Sequence, residues 1–417
     1  MRRRHLFRNR HSLGALTAGL FSQATLVVSG PATARLLGVT GRGELAILGI
    51  ILILSSQLGS AGLPTAVAYT IAMRRMNART VLSALAPIWI SLCAAAGLAG
   101  AAATIVVGGG AASSVGLDAS LVAIWVVSAM TLSLALACLQ GEGRFRLLNW
   151  ARPIATTAQA AGVLCLFLVA HRAAVSEVLS IVVASNVLAC LIAVRLALAK
   201  TDPGLGVTAR IQTRDLLRYG FASIVGASAP VDSLSIDQVI VSIMLSRAQL
   251  GLYVVGGAFN NLPSLLVSSL GTIALPRVAG EPEERERARL MKRTAVAAAI
   301  IAGGTTLFAE LIVAWLLPVA FGASFSPAIP AARILIVAGF FLSLRRILVV
   351  FLQAVGRPGH TAVGEATALG VLAISAVLLI PPLGIVGAGC ALAVAALASD
   401  VYLWLALRSR PAYDHSN

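Results

Sequence analysis

The chain has 417 residues, of which 58% are hydrophobic and 12% charged, and it carries a formal net charge of +16. Soluble domains carry about 25% charged residues, so this composition excludes an ordinary soluble protein. Apolar runs long enough to cross a bilayer as helices recur along the sequence and predict an all-α polytopic membrane protein.

We predict twelve transmembrane helices, six in each half of the chain. In chain order they span residues 12–37, 45–72, 80–107, 119–140, 150–170, 177–199, 217–242, 251–278, 294–320, 328–354, 362–380 and 385–407. Residues 1–199 are predicted to form an N-terminal six-helix lobe, 200–216 a cytoplasmic linker loop, and 217–417 a C-terminal six-helix lobe. A weak similarity between residues 36–49 and 244–256 predicts pseudo-symmetric lobes, an arrangement typical of transporters.

Basic residues fall mainly on one side of these predicted spans. With a cytoplasmic N-terminus, the inside segments hold 22 basic residues and the outside loops three. Positive charge accumulates on the cytoplasmic side of membrane proteins, so both termini are predicted to be cytoplasmic. The same asymmetry explains the net charge through a multi-pass topology and predicts no nucleic-acid partner.

The histidines and cysteines do not form a pattern that binds metal. The five cysteines lie in apolar stretches without a CxxC pair, and the five histidines lie in predicted loops or tails. These positions are typical of buried apolar cysteines and surface histidines. We therefore expect no metal site, no catalytic centre and no cofactor.

Three stretches resemble polysaccharide-type flippases of the MOP exporter superfamily. They are ARLLGVTGRGELAILGIILILSSQLGSAGLPTAVAY (34–69), FLQAVGRPGHTAVGE (351–365) and LLIPPLGIVGAGCALAVA (378–395). The resemblance implies a MATE-like V of two six-helix lobes that opens alternately to each side. It further implies the flipping of a polyprenyl-diphosphate-linked oligosaccharide from the inner to the outer leaflet for cell-surface polysaccharide synthesis. A bacterial cytoplasmic membrane and polysaccharide-assembly proteins as partners follow from the same resemblance.

Two adjacent arginines, Arg345 and Arg346, lie in the tenth predicted span, about 13 Å from its inner end. A charge at this depth is costly and therefore marks a candidate functional site. Guanidinium groups bind phosphate oxygens in bidentate geometry, which favours a role in binding the diphosphate. Snorkelling to the interface, or pairing with a carboxylate of the same lobe, is the structural alternative. Arg35 and Asn260 are further candidates for substrate binding.

Acidic residues within the spans are candidates for ion coupling. Asp232 and Asp237 lie in the seventh span, where Pro230 is expected to kink the helix, and Glu310 lies deep in the ninth. A buried carboxylate can carry a proton or bind Na⁺, but an ion pair with Arg345 or Arg346 is an equal alternative for the aspartates. Glu365 and Asp400 are expected to be boundary or packing residues.

Several functions compete with the polysaccharide flippase. A cation-coupled drug antiporter is favoured by Asp232 and opposed by the arginine pair, while a lipid II flippase usually has two further helices. A membrane glycosyltransferase or polymerase would need catalytic acids and a sizeable extracytoplasmic loop, and the predicted outside loops are short. No nucleotide-binding motif appears in the sequence. Transport is therefore expected to draw on H⁺ or Na⁺ gradients, the membrane potential, or consumption of the product.

Overall fold

A computed structural model describes residues 2–74, 77–108, 115–199, 216–220 and 234–409. The described residues form α-helices and one 3₁₀ turn, with no β-strand among them. The helices are α1 (Arg2–Gly59), α2 (Leu63–Arg74), α3 (Ala78–Gly108), α4 (Val115–Gly141), α5 (Phe145–Ala151), α6 (Ile154–Val169), α7 (Val175–Leu198), α8 (Ile236–Met244), α9 (Arg247–Gly257), α10 (Asn261–Ala279), α11 (Glu284–Phe321), α12 (Ile329–Ala354), α13 (Gly359–Leu383) and α14 (Ile385–Arg408). The 3₁₀ turn covers Ala323–Ala328 and leads into α12.

Ten helical stretches of the described residues are long and apolar enough to cross a membrane. This confirms the predicted all-α polytopic membrane protein. The predicted count of twelve spans stays a prediction, because half of the seventh span lies outside the described residues. The first predicted span, 12–37, lies within α1, and the second, 45–72, covers the end of α1 and most of α2. Gly38, directly after the predicted end of the first span, has φ 68° and ψ −176°, and this non-helical backbone interrupts α1.

The chain divides into two compact units, Met1–Ser228 and Ala229–Asn417. In the first unit, α4 packs against α2, α3 and α7 around an apolar core. Leu85, Val122 and Leu179 are fully buried in this core. Residues 216–220 belong to the same unit, where Tyr219 stacks on Tyr69 with ring centroids 4.6 Å apart.

In the second unit, α12 is the central helix and packs against α9, α10, α11 and α14. Its apolar contacts include Ile347 and Phe351, which are buried against α10 and α11. The helix pair α13 and α14 completes the unit. Consecutive residues of α12 therefore face different neighbours, because an α-helix turns about 100° per residue.

Candidate functional site

A largely polar cavity of about 100 Å³ lies inside the second unit. Its lining comes from α8, α9, α10, α12, α14 and the residues just before α8 and α10. The lining residues are Ser235, Asp237, Gln238, Tyr253, Gly257, Asn260, Asn261, Ser264, Leu335, Leu342, Arg346 and Leu392. Three residues predicted from sequence, Asp237, Asn260 and Arg346, are thus brought together around one space.

The cavity lies where the predicted eighth span, 251–278, is broken. Helix α9 ends at Gly257 and α10 begins at Asn261, with a turn between them. The local sequence GGAFNNLP explains the break, since two glycines weaken the end of α9 and a proline is tolerated in the first turn of α10. A helix break at membrane depth is tolerated where it lines a cavity. A span is therefore present at the predicted position, but a turn at residues 258–260 interrupts it.

Asn260 lies in this turn beside α12. Its backbone N–H donates to the carbonyl of Gly257 at 3.1 Å. Its side-chain Oδ1 is buried without a hydrogen-bond partner among the described residues. Close approach of α12 is possible because Gly339 has no side chain: a Cβ at this position would overlap the Asn260 carbonyl oxygen. The glycine therefore holds the helix break against the central helix.

Asp237 and Tyr253 form a hydrogen-bonded pair at the cavity. The Tyr253 hydroxyl donates to Asp237 Oδ2 at 2.9 Å. Asp237 lies in the first turn of α8, where the helix dipole stabilises a carboxylate. The preceding Ser235 has a left-handed backbone (φ 49°, ψ 48°), which is uncommon for a residue other than glycine. Backbone of this kind concentrates at functional sites, although it does not define one by itself.

The two adjacent arginines have different surroundings. Arg346 is half-buried and lines the cavity. Arg345 is only 1% exposed, and its Nη1 lies 3.4 Å from Glu365 Oε1 on α13. The structural alternative named for the pair, an intra-lobe ion pair, is therefore the arrangement that Arg345 adopts.

The other predicted site residues lie apart from this cavity or beyond the described part of the chain. Asp232 and Pro230 lie outside the described residues. Glu310 on α11 faces Arg333 on α12, with 3.9 Å between Oε2 and Nε. Arg35 belongs to the first unit and is exposed.

Sequence reasoning missed several polar residues of the cavity. These are Ser235, Gln238, Tyr253 and Ser264. For Ser235, Gln238 and Ser264, the available signal was their position in SLSIDQ and FNNLPS, two polar stretches within otherwise apolar spans. Charge alone did not reveal them, because they are neutral.

Residues 32–330 match the sequence model of a family described as "Polysaccharide biosynthesis protein". The chain belongs to this family. The match agrees with the resemblance noted in the sequence as far as polysaccharide biosynthesis is concerned. No curated protein matches the sequence significantly.

Solved structures share the fold of this family member at low sequence identity. An inward closed structure of the lipid II flippase MurJ is 12% identical, with a TM-score of 0.75 over 95% of this chain and 87% of that one. An outward-facing multidrug resistance MATE transporter is 16% identical, with a TM-score of 0.62 over 96% and 94%. A MOP superfamily transporter from Pyrococcus furiosus is 15% identical, with a TM-score of 0.65 over 95% of each chain. The chain therefore shares the fold of these transporters.

Proposed function

We propose that this polysaccharide biosynthesis protein is a transporter, not an enzyme, and flips a polyprenyl-diphosphate-linked oligosaccharide from the inner to the outer leaflet. The family supports the polysaccharide pathway, and the fold supports transport. The accumulation of arginine in one set of predicted loops supports a bacterial cytoplasmic membrane orientation with both termini inside. Alternating access would then expose the bound head group first to one side and then to the other.

The presence of Arg346 in the polar cavity is the observation from which we infer an anionic, phosphate-containing substrate. A guanidinium group in a membrane interior interacts strongly with an anion, because the surrounding dielectric constant is low. Its planar donors suit the bidentate geometry of phosphate oxygens. Asn261 at the start of α10 also lines the cavity, and backbone N–H groups at a helix start favour anions. Together these groups can hold a phosphate.

The size of the cavity limits which part of the substrate it can receive. At about 100 Å³, the cavity is smaller than an engineered protein cavity of about 150 Å³ that binds one benzene molecule. Its volume is enough for a phosphate group and too small for an oligosaccharide. We therefore assign the cavity to the phosphate end of the lipid, with the sugars extending beyond it.

The membrane potential can contribute to outward movement of such an anion. Moving one elementary charge through 100 mV is worth about 2.3 kcal/mol. A diphosphate that moves uncompensated toward a positive exterior gains this amount for each of its charges. Collapse of the potential is expected to slow flipping, and an unchanged rate would exclude this contribution.

A cation-coupled drug antiporter is the second candidate, and one observation favours it. Asp237 brings a carboxylate into the same cavity as the amides of Asn260 and Asn261. Oxygen atoms of this kind suit a cation. A phosphate in the cavity would be repelled by Asp237 and attracted by Arg346, so the charge of the transported molecule distinguishes the two functions.

The test is flipping of a fluorescent polyprenyl-diphosphate oligosaccharide in proteoliposomes. We expect flipping by the wild type and a decrease of about tenfold or more in Arg346→Gln, since hydrogen bonds to charged groups contribute about 1.5–3 kcal/mol. Arg408→Gln is the matched control, because Arg408 is exposed at the end of α14 and stacks on Trp404. A wild type that transports a cationic drug but does not flip the lipid would overturn the proposal.

A further inference from the structure

The second unit buries a cluster of three ionisable side chains that the cavity does not use. Arg345, Glu365 and Asp400 are 1%, 9% and 8% exposed and come from α12, α13 and α14. Arg345 pairs with Glu365 at 3.4 Å, and its charge also acts on Asp400. Ser399, next to Asp400, donates to the Gly364 carbonyl at 3.0 Å, which joins α14 to α13 beside Glu365.

Asp400 is the unusual member of this cluster. Neither of its carboxylate oxygens has a hydrogen-bond partner among the described residues, although both are buried. An ionised carboxylate without partners is very costly in a low-dielectric interior. Hydrogen bonding within the described structure therefore does not explain how this side chain is accommodated.

The charges of the cluster do not balance. Counted by themselves, these three described groups are one guanidinium and two carboxylates, and together they carry one net negative charge when all are ionised. Other charged or titratable groups of α14 and of the helices packed against it, α8, α9, α12 and α13, are Asp237, Arg247, Tyr253, Arg333, Arg346, His360, Cys390, Tyr402 and Arg408. Of these, Asp237 pairs with Tyr253 and His360 contacts Tyr402. Among the described residues, Arg345 is the cation whose charge acts on Asp400.

We propose that the cluster of Asp400, Glu365 and Arg345 is a proton-binding site that couples transport to the proton gradient. One carboxylate oxygen takes H⁺ from water on one side of the membrane, forms an O–H bond and releases H⁺ on the other side. Occupancy by one proton makes the cluster electrically neutral. The binding site itself does not depend on the proposed flippase function, whereas the coupling rests on it.

Helix α12 provides the physical connection between proton and substrate. Arg345 belongs to the buried cluster, and Arg346, the next residue, lines the polar cavity. A change in the charge of the cluster alters the force on Arg345, and any rotation or shift of α12 moves Arg346 with it. Proton binding and phosphate binding can therefore favour different positions of one helix, which is the requirement for coupling between sites.

Proton binding is tested first, without any substrate, by infrared spectroscopy of the purified protein at neutral pH. We expect the C=O band of a protonated carboxylic acid in the wild type and its loss in both Asp400→Asn and Glu365→Gln. Either substitution leaves one carboxylate for one guanidinium and thus removes the need for a proton. Glu284→Gln, at an exposed position, is the control that keeps the band. Absence of the band in the wild type, or its persistence in both variants, would overturn the site.

Coupling is tested next in proteoliposomes with an imposed proton gradient. We expect the gradient to raise the flipping rate of the wild type several-fold. The flipping rate of Asp400→Asn is expected to be the same with and without the gradient. A wild type that flips at the same rate with and without the gradient would overturn the coupling. If Asp400→Asn does not fold, Glu365→Gln decides both measurements. A wild type that shows the infrared band but flips no lipid would refute the proposed function but would still support the proton-binding site.

Discussion

The interiors of the two units differ in the number of charged side chains that they bury. In the first unit, the polar residues of the described part that are buried as a whole are neutral: Ser29, Thr33, Ser60, Thr70, Thr104, Ser128, Ser185 and Asn186. The Glu142 side chain just beyond α4 is also buried, and it pairs with the partly exposed Arg144 at 3.2 Å. In the second unit, the buried set includes Arg345, Glu365 and Asp400, and the polar cavity lies beside them. Both units are built from apolar helices, so bilayer insertion does not require this difference. The costly charges are concentrated in the unit to which we assign phosphate and proton binding.

The largest expected effect comes from removing the cation of the buried cluster. Arg345→Leu leaves two buried carboxylates without their guanidinium and is expected to lower the free energy of unfolding by about 3–5 kcal/mol. Thermal unfolding in detergent measures this loss. The triple variant Arg345→Leu, Glu365→Leu and Asp400→Leu is expected to recover most of the stability, because no buried charge is then left uncompensated. If Arg345→Leu were as stable as the wild type, the buried charges would not distinguish the interior of the second unit from that of the first.

A smaller loss of stability is expected from a substitution at the contact between α12 and the turn that separates α9 from α10. Gly339→Ala places a Cβ onto the Asn260 carbonyl oxygen and must displace the turn between α9 and α10. Overpacking of this kind costs about 1–3 kcal/mol. The variant is also expected to flip substrate more slowly, because Asn260 lines the cavity. Unchanged stability and unchanged flipping would show that the break does not depend on this contact.

A comparable polar contact in the first unit is expected to matter less. Ser128 Oγ donates to Asn186 Oδ1 at 3.0 Å, and both residues are buried between α4 and α7. Ser128→Ala removes a neutral hydrogen bond and is expected to cost about 0.5–1.5 kcal/mol. Flipping by the folded variant is expected to match the wild type. Loss of flipping at preserved stability would contradict the assignment of binding functions to the second unit.

The smallest expected change in stability is a gain, and it comes from a substitution at Gly304. Gly304 lies inside α11 with nothing within 4 Å of the position of an added Cβ. Gly304→Ala is expected to stabilise the protein by about 0.5–1 kcal/mol, because glycine is unfavourable in a helix interior. It is the matched control for Gly339→Ala, and thermal unfolding of the two variants side by side measures the contrast. If Gly304→Ala lowered the stability as well, the space around each glycine would not explain the difference between the two variants.

Long apolar runs were sufficient to predict the helices, because bilayer thickness sets their length. The break after Gly257 was not predicted, because a polar turn of a few residues scarcely changes the hydropathy of a long window. The arginine pair was found by its charge, but the separation of Arg345 from Arg346 depends on which helices surround α12. Asp400 was expected to be a boundary or packing residue, since its lack of a hydrogen-bond partner depends on helix packing that sequence alone does not specify. Asp237 and Asn260 were predicted individually, and their proximity likewise required the fold.

Photocrosslinking of the substrate to the cavity tests the central claim most directly. A photoreactive amino acid replaces Asn261, which lines the cavity, and in a parallel variant it replaces Leu266, an exposed apolar residue of the same helix. Radiolabelled polyprenyl-diphosphate oligosaccharide is then added to each purified protein. We predict crosslinking at position 261 that excess unlabelled lipid displaces and that Arg346→Gln abolishes, with no displaceable crosslink at position 266. Equal crosslinking at both positions, or crosslinking at 261 that ignores Arg346→Gln, would contradict the account.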